Sequence, residues 1–108
     1  MTKNILIIDS GSTKTDWCYI NNDGKIKQFK TEGINPNLME ANTIALLIDQ
    51  CFHKHLKNHA IKAIHYYGAG IGTFQNKKLV TSLFKKNAPQ AQIAVLSDIV
   101  GAARSLCQ

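Results

Sequence analysis

The stretch Asn4-Ile5-Leu6-Ile7-Ile8-Asp9-Ser10-Gly11-Ser12-Thr13-Lys14-Thr15 decides the fold of this 108-residue chain. Its four consecutive aliphatic residues, Ile5 to Ile8, suit a strand buried on both faces at the centre of a sheet. A carboxylate, Asp9, closes the run, and the turn that follows is rich in small hydroxyl residues. Gly11 permits torsions and a close approach that a side chain would block, so main-chain N–H groups and the hydroxyls of Ser12 and Thr13 can bond phosphate oxygens. Asp9 suits magnesium held through water, because that ion keeps much of its hydration shell. Lys14 adds a positive charge to the turn, or faces solvent if strand alternation directs it outward. The same residues also make a plain β-turn supported by an Asp, and composition alone does not separate the two readings.

Working outward, residues 15–21 read as a second strand, Asn22-Asp23-Gly24 as a hairpin signal, and residues 25–31 as a third, more polar strand. From 38 to 56 the apolar positions Leu38, Ala41, Ala45, Ile48, Phe52 and Leu56 recur at helical intervals, and Leu47 and Cys51 widen the stripe. The pattern predicts a helix of about five turns. Residues 63–67 read as a fourth strand running into the loop Gly68-Ala69-Gly70-Ile71-Gly72. A second helix follows over 75–86, with Leu79, Val80, Leu83 and Phe84 on one side; Pro89 marks a break, residues 93–96 form a fifth strand, and another helix starts at Asp98.

Three strands in antiparallel sequence, then strand, helix, strand, helix, match the ribonuclease H-like α/β layout shared by actin-like ATPases and many nucleases. Right-handed crossovers place the fourth and fifth strands beside the first, in the order 3-2-1-4-5 of a five-stranded mixed sheet. The carboxyl ends of strands 1, 4 and 5, carrying Asp9, the Gly68 loop and Asp98, then share one edge, where open α/β sheets bind ligands.

Length sets a ceiling of one domain, residues 1–108. The apolar fraction of 44% and charged fraction of 19% are those of a soluble globular protein. No apolar stretch could cross a bilayer and the amino terminus lacks the features of a secretory signal, so a cytoplasmic location is expected. Cys18, Cys51 and Cys107 show no metal or redox spacing and read as buried free thiols. His53, His55, His59 and His65 make no metal-ligand pattern beyond the pair His55 and His59, which reads as a solvated helix end. Trp17 and Tyr19, on one face of a strand, read as packing residues. The net charge of +6 comes from lysines scattered over several elements, a solvated surface rather than a nucleic-acid footprint.

D-S-G-S-T-K-T-D (residues 9–16) is similar to the first phosphate motif of the N-acetylglucosamine kinase and BadF-type ATPase families, within the superfamily of sugar kinases, heat-shock ATPases and actin. E-G-I-N-P-N (32–37) resembles the family segment that places an Asn on the sugar. Y-Y-G-A-G (66–70) resembles the loop after the fourth strand, and S-D-I-V-G-A-A-R (97–104) the stretch that begins with the catalytic Asp. The resemblance spans the chain and implies an amino-terminal lobe of a kinase that transfers phosphate from ATP to an amino sugar such as N-acetylglucosamine. It implies Asp9 as the acidic metal-associated residue, Thr13 as a contact to nucleotide phosphate beside Gly11, Ser12 and Lys14, Asn35 as the sugar-binding residue, and Asp98 as the base at the acceptor hydroxyl. ATP, Mg2+ and the amino sugar are its implied ligands. It implies a carboxy-terminal lobe with a second phosphate loop, missing here as in a truncated protein and without which the lobe is expected to be inactive, and it admits a homodimer.

Asp98 also fits a helix N-cap, and Asn35 before Pro36 also fits a turn opener. The glycine loop lacks the lysine and spacing of a Walker loop and reads as backbone lining the cleft. Other readings remain: an activator ATPase of a coenzyme A dehydratase or reductase, which would need an iron–sulfur cysteine pair; a ribonuclease H-like nuclease or resolvase, which would need further carboxylates beside Asp9 and Asp98; and a non-catalytic interaction module.

Overall fold

The computed structural model describes residues 4–57 and 60–97. Its elements are β1 (Ile5–Ser10), β2 (Lys14–Ile20), β3 (Ile26–Glu32), α1 (Ala41–His55), β4 (Ala63–Gly68), α2 (Phe74–Asn87) and β5 (Gln92–Ser97). They form one sheet in the order β3-β2-β1-β4-β5. The first three strands pair antiparallel, while β4 pairs parallel with both β1 and β5. This is the expected 3-2-1-4-5 mixed sheet of an actin-like ATPase lobe.

Alternation along the strands divides the sheet into two faces. Leu6 and Ile8 of β1, Trp17 and Tyr19 of β2 and Ile64 and Tyr66 of β4 join one cluster with Ile44 and Ile48 of α1 and Val80 and Phe84 of α2. Ile7, Cys18 and Tyr67 form a smaller cluster on the opposite face, flanked by Ile5 and Ile20. The aliphatic run is therefore buried on both sides, as its composition requires. Aromatic rings fill the larger cluster: Phe84 packs against Trp17, Phe52 and Tyr66 at centroid distances of 6.1, 6.2 and 5.5 Å. Trp17 also stacks on Phe29 at 5.4 Å and donates its indole N–H to Thr31 Oγ1 at 2.9 Å, so it is a packing residue.

The first helix starts later than its periodicity predicts. The Asn35 carbonyl accepts hydrogen bonds from the N–H groups of Leu38 and Met39 at 2.9 and 3.0 Å, which winds the chain into a turn before Ala41. Leu38 is left 73% exposed, and Ile44, which the periodic stripe leaves out, is fully buried in its place. Thr73 caps α2 by accepting from Asn76 N–H at 3.1 Å. At its other end α1 is pinned to β3: Lys27 Nζ donates to the His55 carbonyl at 2.8 Å, and Phe29 stacks on the His55 ring at 4.0 Å.

Cys51 is a buried free thiol, but Cys18 is disulfide-bonded. The expectation of three free thiols is corrected at Cys18, because residue spacing says nothing about which side chains a sheet face brings together. Cys107 lies outside the described residues. Among the described residues no helix is long and apolar enough to cross a membrane.

Burial pushes the Cys51 thiol up to about 11, Lys54 and the Thr31 hydroxyl offsetting it only in part. Burial pushes the Tyr66 phenol up to about 12. Both acids stay neutral in the folded chain where an unfolded chain would ionise, so the folded state binds more protons in that range. Their stabilisation is complete below about pH 9 and is lost as pH rises through about 11 and then 12. Urea midpoints are expected to fall from about pH 9 upward, and Cys51→Ala to delay that onset. A flat profile to pH 11 in the parent chain would refute the assignment.

Candidate functional site

Three loops meet at the carboxyl edge of β1 and β4. The first is the turn between β1 and β2, where Gly11 N–H donates to the Lys14 carbonyl at 2.9 Å and closes a tight hairpin. Ser12, Thr13 and Lys14 are all exposed, so their side chains are free to meet a ligand from solvent. Asp9 is half-buried at the end of β1 and, by alternation, shares the face of Ile7. Asp16 stands opposite it in the β1–β2 register but forms an exposed ion pair with Lys30 at 3.4 Å.

The second loop, residues 33–37, carries Asn35. Ile34 is fully buried and anchors it in the core, as Ile71 anchors the glycine loop. Asn35 is 9% exposed, and its Oδ1 accepts from Asn37 N–H at 2.9 Å. The turn-opening role of an Asn before Pro is thus real, and it leaves the amide nitrogen available for a ligand. Among the described residues, Asn35 Nδ2 makes no hydrogen bond.

The glycine loop is third. Ala69 N–H donates to the Ser10 carbonyl at 3.1 Å. Gly70 has φ +75°, and a Cβ there would strike Asn35 Oδ1, so glycine is required both by torsion and by contact. The loop lines the site with backbone, as its lack of Walker spacing suggests.

Two buried hydroxyls join the first loop to the second. Ser10 Oγ donates to the Ile34 carbonyl at 2.9 Å and accepts from Ile34 N–H at 3.1 Å. It also lies 3.0 Å from Thr15 Oγ1, which donates to the Glu32 carbonyl at 2.9 Å. The Tyr66 hydroxyl is buried nearby. Ser10 is close enough to lower its pKa slightly, yet no aligned hydrogen bond joins the two. Gly33 completes the junction, since a Cβ there would overlap the Ser12 carbonyl oxygen and come within 2.5 Å of Gly11 O.

Within the chain itself the tight backbone contact falls at Gly33. Gly11 does not adopt a positive φ, and a Cβ on it would meet only the Lys14 carbonyl, at 3.4 Å. No other part of the chain crowds Gly11, and its place in the turn is left open for a ligand. Asn76 is a further residue the sequence does not single out, and its Nδ2 donates to the Gly70 carbonyl at 2.7 Å and to Asn37 Oδ1 at 2.9 Å. Ser10 and Thr15 could have been noticed, since a tight hairpin sets them opposite each other on the helix-covered face.

The turn of Gly11, Ser12, Thr13 and Lys14 and the segment of Asn35 are thus brought into direct contact, with Asp9 at their base on the other face of the sheet. Asp98 lies outside the described residues. The last residue of β5, Ser97, pairs with Gly68, which pairs with Ser10, so the chain reaches this same edge just before Asp98.

No family model matches the chain, and no curated protein does. Among solved structures it is similar to a candidate N-acetylglucosamine kinase of Porphyromonas gingivalis, known from its crystal structure, at 38% sequence identity with a TM-score of 0.69. The match covers 95% of this chain and 37% of that one, so the chain spans little more than a third of its relative's length.

Proposed function

We infer that the chain belongs to the N-acetylglucosamine kinase family, and from that premise we propose that it is the lobe that holds phosphate and acceptor in a kinase acting on an amino sugar. One observation carries the reading: the phosphate turn and the Asn35 segment are locked together by Ser10, Thr15 and Gly33. A phosphoryl group on the first loop and a hydroxyl compound on the second would be held at a fixed separation. Positioning of that kind is the main catalytic contribution in phosphoryl transfer.

The exposed hydroxyls of Ser12 and Thr13, the N–H groups of their turn and the Lys14 ammonium would contact ATP phosphates. This set fits the ligand, being polar and open to solvent on a hairpin closed by the Gly11–Lys14 hydrogen bond. Asp9 would hold Mg2+ through water, and the ion when bound would offset phosphate charge. Asn35 Nδ2 would donate to an oxygen of the sugar. Asp98, one residue beyond β5, would accept the proton of the acceptor hydroxyl as its oxygen attacks the γ-phosphorus and ADP departs.

Amide-resolved NMR titration of the labelled chain tests this. Mg·ATP is expected to shift residues 11–14, and N-acetylglucosamine to shift residues 33–37. Asp9→Asn should weaken the magnesium dependence of the first set. Nucleotide shifts scattered over the lysine-bearing surface, or identical with and without magnesium, would sink the reading. Binding of DNA with a steep salt dependence would favour a nuclease instead.

A further inference from the structure

Asn76 occupies the first turn of α2, where Thr73 already provides the cap by accepting the Asn76 backbone N–H. Its side chain is therefore left over from helix formation. Both its bonds come from Nδ2, one to the Gly70 carbonyl at 2.7 Å and one to Asn37 Oδ1 at 2.9 Å. The two oxygens fix the orientation of the amide, since only a nitrogen can face them both. The bridge ties the glycine loop to the acceptor segment, Asn76 reaching Asn37 across 39 residues of sequence.

Asn35 lies between the two ends of that bridge. Its Oδ1 is held by Asn37 N–H at 2.9 Å and lies against Gly70, so neither neighbour can shift without turning the Asn35 amide. The residue is 9% exposed, and Nδ2 has no hydrogen-bond partner among the described residues. The nitrogen is not among the fully buried unpartnered atoms, so it is open to a ligand from solvent.

We propose that Asn76 is a positioning residue for the acceptor. By clamping Asn37 to Gly70 it holds the Asn35 amide with its oxygen engaged and its nitrogen directed to a hydroxyl or carbonyl oxygen of a neutral sugar. This rests on the reading of Asn35 as the acceptor-binding side chain, and adds a residue that touches no ligand.

The test uses the labelled chain in three forms: parent, Asn76→Ala and Asn76→Asp. Asp keeps the size of Asn and favours the first turn of a helix, yet it removes both donors, so it separates the clamp from helix stability. In the parent, N-acetylglucosamine should shift the Asn35 side-chain amide saturably. Asn76→Ala should weaken that binding roughly tenfold, and Asn76→Asp at least as much, for two lost hydrogen bonds. Mg·ATP shifts at residues 11–14 should keep their affinity within about twofold, because those residues are held by Ser10 and Gly33. Parent-like sugar affinity in both variants, or a parallel loss of nucleotide affinity, overturns the clamp. If the parent shows no sugar binding at all, the acceptor reading of Asn35 fails and the clamp falls with it.

Discussion

Replacing Gly33 with alanine is expected to lower the melting temperature by roughly 5–20 °C and to abolish measurable phosphate binding, the cost being about 1–3 kcal/mol of overpacking at about 4–8 °C per kcal/mol. The added methyl would overlap the Ser12 carbonyl oxygen, and Ser12 C and Gly11 O would both lie within 2.5 Å of it. Those atoms are main chain, and they belong to the turn whose N–H groups are to face phosphate, so no rotamer change can relieve the contact. Relief requires the two loops to part, which breaks the Ser10 bonds to Ile34. Gly72 supplies the control, because a Cβ there meets nothing within 4 Å and its φ is not positive. Gly72→Ala should stay within about 0.5 kcal/mol of the parent. Thermal melts and Mg·ATP titrations on both variants decide the matter. A Gly33→Ala chain that melts with the parent and binds nucleotide normally would show that the two loops are not in rigid contact.

The frame of the fold was legible because it depends on short-range signals. An aliphatic run with Asp9 at its end, a hairpin at residues 22–24 and two helical stripes are enough to order five strands once crossovers are right-handed. Periodicity failed at the start of the first helix, where Leu38 and Ala41 are both exposed. Leu38 keeps helical spacing, yet the Asn35 turn captures its N–H, and Ile44 takes the buried place. The gathering of three loops at one sheet edge was legible, while the links between them were not. Gly33 is needed because the hairpin turn packs on it from more than 20 residues away in sequence, and nothing in its own neighbourhood announces that contact. Asn76 is a polar residue in a helical first turn, indistinguishable there from any solvated Asn.

Ser10→Ala is the second substitution expected to be severe, and it bears most directly on whether the loops proposed to hold phosphate and acceptor act as one body. Removing the hydroxyl leaves the buried N–H and carbonyl of Ile34 without their partner, and takes away the neighbour of Thr15 Oγ1. An orphaned buried polar group costs about 1–3 kcal/mol, so a loss of about 2–4 kcal/mol is expected for the site. Thr15→Val, nearly isosteric and well suited to a strand, should cost only about 1 kcal/mol, the value of its bond to the Glu32 carbonyl. Because the two hydroxyls lie 3.0 Å apart, their effects should not add. The double variant is expected to be less destabilised than the sum of the singles by about 0.5–1.5 kcal/mol, measured by urea unfolding around the full cycle. Ligand binding extends the argument. Ile34 carries the Asn35 segment, so Ser10→Ala should weaken N-acetylglucosamine and Mg·ATP together, whereas Asn76→Ala should weaken the sugar alone. Two hydroxyl deletions that add within error, with nucleotide affinity untouched by Ser10→Ala, would mean that the loops merely adjoin and that their separation is set elsewhere.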